Sequence, residues 1–88
     1  MLEVLNIKDV KKEIGHAIKF LRKRNKISQS ELAELLDLSR ITIQNLESGK
    51  NFTINTLLKV LQHFDLLQEL NQEIKSVVKN HEEVDSLY

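Results

Sequence analysis

The chain has 88 residues, of which 41% are hydrophobic and only 5% aromatic, with two glycines, no proline and no cysteine; this allows one small helical domain with an aliphatic core and excludes a disulfide framework or a thiolate metal site. The N-terminus lacks the basic start and apolar run of a signal peptide, and no apolar run approaches membrane length, so a cytosolic protein is expected. The net charge of zero conceals an asymmetry: residues 8–59 carry eleven Lys and Arg against six acids, while residues 60–88 carry two Lys against six acids, which suits either a phosphate-facing body with an acidic partner-facing end or a solvated surface with chance clustering.

Hydrophobic periodicity predicts an all-α fold of five helices. In the first, Val10, Ile14, Ala17, Ile18 and Leu21 form one apolar stripe. Asn6 is its expected cap, with Leu5 stapled to Val10. The second helix, about 29–36, is capped by Ser28 with Glu31 closing a capping box, is stapled by Ile27 and Leu32, and buries Leu32, Ala33 and Leu36. The third, about 40–48, is capped by Ser39, stapled by Leu38 and Ile43, buries Ile43 and Leu46, and stops at Gly49, a residue suited to the left-handed position after a helix. The fourth, about 54–63, starts at Thr53 with Phe52 against Leu57, and offers Leu57, Leu58, Val60, Leu61 and Phe64 to the core. The fifth, about 66–79, carries Leu66, Leu67, Leu70, Ile74, Val77 and Val78. Residues 1–79 are thus expected to form the domain, and residues 80–88 a short, acidic, frayed tail.

Only Asp37-Leu38-Ser39 separates the second and third helices. So short a turn makes them cross steeply, which is helix-turn-helix geometry at about 28–49. The second helix of such a pair keeps an exposed polar face and a free, partially positive N-terminus able to enter a major groove. Ser39, Arg40, Ile41, Thr42 and Gln44 are the candidate base readers. Arg40 suits a bidentate contact to guanine, Ile41 and the Thr42 methyl suit a thymine methyl, and Gln44 suits adenine; Ser39 and Thr42 also serve as caps. Ser28 and Gln29 at the start of the second helix are candidates for DNA-backbone contact. Asn45, Lys50 and Asn51 are candidates on the other flank, with plain solvation the alternative for Lys50. No metal, cofactor or enzymatic activity is expected: His16, His63 and His81 are scattered, and there is neither a nucleophile elbow nor a phosphate-cradling glycine loop.

The segments Ser28-Gln29-Ser30-Glu31-Leu32-Ala33 and Ile41-Thr42-Ile43-Gln44-Asn45-Leu46-Glu47-Ser48-Gly49-Lys50 resemble the phage-repressor helix-turn-helix family (Cro/C1, or XRE), over about residues 10–67. The resemblance implies a compact, lambda-repressor-like DNA-binding domain and an Arg22–Glu47 pair tying the first helix to the third. Asp37 and Asp65 stand where the family often has glycine, and Asp tolerates the left-handed conformation those turns need. The stretch from Asn51 to Leu61 is similar to that of HipB-like antitoxins, which repress their own operon and bind a HipA-type kinase toxin. The resemblance therefore implies a bacterial, cytoplasmic repressor of a palindromic operator, nucleoid-associated when bound; a stand-alone phage or plasmid repressor and a protein–protein adaptor on the same fold are the alternatives. Leu70, Ile74, Val77 and Val78 exceed what such a core needs. They are expected to be covered by a second copy or a partner rather than to fold back on the first helix.

Overall fold

A computed structural model describes residues 4–86 and shows five helices and no strand among them: α1 (Ile7–Arg24), α2 (Gln29–Leu35), α3 (Arg40–Glu47), α4 (Ile54–His63) and α5 (Leu67–Ser86). All four expected N-caps are in place. The side chains of Asn6, Ser28, Ser39 and Thr53 accept the backbone N–H groups of Asp9, Glu31, Thr42 and Thr56 at 2.8, 3.0, 3.1 and 3.1 Å. Asp9 and Glu31 return the bond to the cap backbone, making two capping boxes.

The helix ends share one device. After α1, α2, α3 and α4 a single residue turns left-handed: Lys26 (φ 57°), Asp37 (56°), Gly49 (76°) and Asp65 (60°). The next residue then donates its N–H back into the last helical turn: Ile27 to Arg22 O at 3.3 Å, Leu38 to Ala33 O at 2.8 Å, Lys50 to Asn45 O at 2.9 Å and Leu66 to Leu61 O at 2.8 Å. These bonds satisfy carbonyls that the helix leaves without partners. At three of the four ends the donor is aliphatic, so the same residue that closes the turn also covers apolar surface.

The core comprises Ile18, Leu32, Ala33, Ile43, Leu46 and Val60, ringed by Ile14, Ile27, Leu36, Leu38, Phe52, Leu57 and Phe64. Helix α3 is its hub, packing against both α1 and α2, while α5 packs chiefly on α4. The buried face of α1 is rotated from the expected stripe. It runs through Gly15, Ile18 and Arg22, leaving Val10 and Ala17 exposed, and Leu5 is likewise exposed. Gly15 explains the rotation: a Cβ there would lie 2.7 Å from Leu46 O and even closer to Glu47 O. Backbone therefore packs on backbone at that point, and the helix turns its glycine inward.

Two helix ends fall one residue short of expectation, with Leu36 and Ser48 acting as C-caps. The fifth helix differs more. It begins at Leu67 and continues to Ser86, so most of the segment expected to fray is helical. No glycine or proline interrupts that stretch, and acidic composition alone does not break a helix. Leu87 and Tyr88 lie outside the described residues.

Two substitutions separate packing from propensity. Gly15→Ala should destabilise the fold by about 1–3 kcal/mol through overpacking, although alanine favours an isolated helix by about 1 kcal/mol. Lys26→Gly should stabilise it by roughly 0.5–1 kcal/mol by relieving left-handed strain, after allowance for the entropy of glycine. Urea and thermal melts read both, each 1 kcal/mol moving the Tm by about 4–8 °C in a domain of this size.

Candidate nucleic-acid interface

The direction in which α3 presents its side chains is set from its buried side. Ile43 and Leu46 are fully buried, which turns Arg40, Ile41 and Gln44 outward, all three exposed. Ile41 stands 66% exposed, an apolar side chain on an otherwise polar face, where a partner's methyl group would give it a contact. The Ser39 and Thr42 hydroxyls lie 2.8 Å apart; Ser39 is exposed and Thr42 half-buried. No ion pair holds the Arg40 guanidinium among the described residues. The five expected base readers thus occupy the start and outer face of one helix whose N-terminus is open.

The opposite end of α3 is anchored. Arg22 Nε donates to Glu47 Oε2 at 2.6 Å, Nη2 to Oε1 at 3.0 Å, and Nη1 to Ile27 O at 2.9 Å. Both side chains are nearly removed from solvent, at 9% and 3% exposure. The hydrogen bond to Glu47 drives the Arg22 pKa above its ordinary value, outweighing the opposing effect of burial. One guanidinium thereby joins α1, α3 and the turn into α2.

Gln29 has a partner that sequence reasoning did not supply. Its side-chain amide donates to Glu47 Oε1 at 3.0 Å and is half-buried, so one of its two N–H groups is tied to the ion pair. The cause is local: Arg22 leaves lone pairs of the buried carboxylate available, and Gln29 opens the helix next to them. Ser28 remains exposed at the same helix start. There Glu31 accepts the Ser28 backbone N–H, and that bond, followed by the Ser28 hydroxyl bond, holds the Glu31 carboxyl below its usual pKa.

On the far flank, Asn45 lies one helical turn beyond Ile41 and is half-buried, while Lys50 and Asn51 are exposed in the loop after α3. These three converge with Lys8 and Lys11 of α1 around one depression. Lys11 Nζ donates to Asn51 Oδ1 at 2.6 Å. Neither lysine was singled out from the sequence, because on the polar face of an amphipathic helix a binding lysine looks like a solvated one. Leu70 is half-buried, whereas Ile74, Val77 and Val78 are each 56% exposed along α5. Among the described residues, no group of His and acidic side chains is placed to hold a metal, and no helix is long and apolar enough to cross a membrane.

Comparison with known proteins gives concordant matches. Residues 18–67 match the family model described as Helix-turn-helix. Antitoxin HipB of Escherichia coli strain K12 is 36% identical over 59 residues, covering 66% of this chain and 67% of that protein. Antitoxin HipB of Escherichia coli O6:H1 is 34% identical over 59 residues, covering 66% and 63%. Among solved structures, that of the HipA-HipB-O2-O3 complex is similar with a TM-score of 0.58 and 30% identity, over 75% of this chain and 89% of the matched one.

Arg22→Met should cost about 3–5 kcal/mol, because it leaves the buried Glu47 carboxylate without its cation. The double variant Arg22→Met/Glu47→Leu should recover much of that loss, since two apolar side chains remove the stranded charge. A double-mutant cycle in urea measures both; equal losses in the single and double variants would contradict this account of the pair.

Proposed function

Because the chain belongs to the XRE-type helix-turn-helix family and to its HipB-like branch, we propose that it is a sequence-specific repressor of its own operon that also serves as antitoxin to a HipA-type kinase. The observation that carries the DNA-reading half is the arrangement of α3. Its C-terminal end is anchored by Arg22 and Glu47, while its N-terminal end projects Arg40, Ile41 and Gln44 from the body. A helix held in this way enters the major groove as a rigid element, with the guanidinium placed for guanine and the amide for adenine. The kinase half rests on relationship: two HipB antitoxins are among the relatives of the chain, and a similar structure contains HipB in complex with HipA. The chain is then a cytoplasmic, non-enzymatic regulator that works without a cofactor.

Operator reading calls for a dimer, and α5 offers the surface. Leu67, Leu70, Ile74, Val77 and His81 recur along it at alternating intervals of three and four residues, the seam spacing of paired helices. Leu67 and Leu70 are half-buried, but the stripe continues past α4 as Ile74 and Val77, each 56% exposed. An open groove of about 490 Å³ between α4 and α5, lined in part by Leu58, Leu70 and Ile74, adjoins it. A two-fold arrangement of two copies covers this stripe on both chains at once and presents two copies of α3 to a palindromic site.

A titration of the chain's own promoter region tests the reading. Binding should be tight, salt-dependent and selective over random duplex, with Arg40→Ala losing about 1–3 kcal/mol on the promoter; addition of the HipA-type kinase should give a larger complex. Equal, weak binding to both duplexes that ignores Arg40 would overturn it. Separately, Ile74→Glu should convert a dimer into a folded monomer by analytical ultracentrifugation and weaken promoter binding. A monomeric wild-type chain at high concentration would remove the dimer from the reading.

A further inference from the structure

Where the start of α1 meets the loop after α3 there is an open depression of about 670 Å³ lined by Ile7, Lys8, Lys11, Asn45, Lys50 and Asn51, with Gly49 at its base. The loop lies close against the helix: Gly49 is left-handed, and a Cβ on it would stand 3.1 Å from Lys12 Cα. That approach brings the loop cation Lys50 beside the helix cations Lys8 and Lys11. None of the three is in an ion pair among the described residues.

Apart from Ile7 and Gly49, the side chains of the lining are cationic or amide. There are three ammonium groups and two amides and no carboxylate among them. Asn51 Oδ1 accepts from Lys11 Nζ at 2.6 Å, which leaves the Asn51 N–H groups as donors. Gathered like charges repel one another, and an anion between them relieves the repulsion. The depression is continuous with the outward face of α3 through Asn45, one turn beyond Ile41. With α3 in a groove about 12 Å wide, the sugar–phosphate backbone runs beside the helix, and a phosphate there meets this set of donors.

We infer that Lys8 and Lys11 of α1, together with Lys50, form a phosphodiester-binding site that clamps the DNA backbone alongside α3. The site contributes affinity and register without reading sequence. This rests on the DNA-binding reading above and adds α1 to the surface that touches the duplex.

The test uses the full chain with a promoter duplex and a random duplex over a range of salt concentration. Lys8→Gln, at an exposed position, should lower the magnitude of the log–log salt slope by about 0.9 for each chain bound, about 1.8 for the dimer, and Lys8→Gln/Lys11→Gln by about twice that. Both should weaken binding to the two duplexes by the same factor, leaving the preference between them intact. Unchanged slopes in both variants overturn the inference, even where Arg40→Ala still abolishes discrimination. Should the wild type bind both duplexes alike, operator reading fails, while the lysine contribution is still read on random DNA. Absence of binding to either duplex overturns both.

Discussion

The architecture depends on the contact between α1 and the end of α3. Both glycines of the chain are placed there. Gly15 lets the carbonyls of Leu46 and Glu47 come onto α1, and Gly49 lets the following loop come onto Lys12. At so short a separation a side chain would intrude, and the ion pair of Arg22 with Glu47 then seals the edge of the contact. The consequence reaches α2 through two bonds, from Arg22 to Ile27 O and from Gln29 to Glu47. Three helices thus share one carboxylate. A buried carboxylate costs several kcal/mol to desolvate unless it is paired and hydrogen-bonded, and here all its partners come from elements that must be correctly placed. The pair is best understood as fixing geometry: it makes alternative placements of α3 expensive.

Much of this was legible in the sequence. Each N-cap is a Ser, Thr or Asn beside an aliphatic residue, a local pattern that tertiary packing did not override. Asp37, Asp65 and Gly49 advertise left-handed turns by residue type. Lys26 does not, and its left-handed φ of 57° comes to light only in the folded chain. Gly15 was silent for a related reason. Inside a helix a glycine signals weakness, and its use as a contact surface appears only when the partner backbone is in place. The rotation of the α1 stripe follows from that omission, because periodicity weighs side chains and a glycine has none to weigh.

The candidate interface divides in the same way. The outer face of α3 could be read from the spacing of Ile43 and Leu46, since burying those two leaves little choice for Arg40, Ile41 and Gln44. Gln29 and Lys11 could not, because each acquires its role from a residue far along the chain, Glu47 for one and Asn51 for the other. The C-terminal extent of α5 is hidden in the sequence because an acidic terminal segment looks like a frayed one. Its apolar residues continue in helical register, and the helix follows them.

The extended α5 gives the molecule an electrical axis. The described residues span 53 × 32 × 22 Å; along the sequence, residues 8–59 carry eleven basic side chains against six acidic ones, and residues 60–88 six acidic against two lysines. A body that is neutral in total yet polarised along its sequence feels little net pull from a distant polyanion. Within roughly one Debye length, about 8 Å at physiological salt, it experiences a torque. That torque turns the strongly basic α1 toward the duplex and the acidic α5 away before any base is touched. Alignment during approach, rather than attraction from afar, is what such a charge distribution supplies.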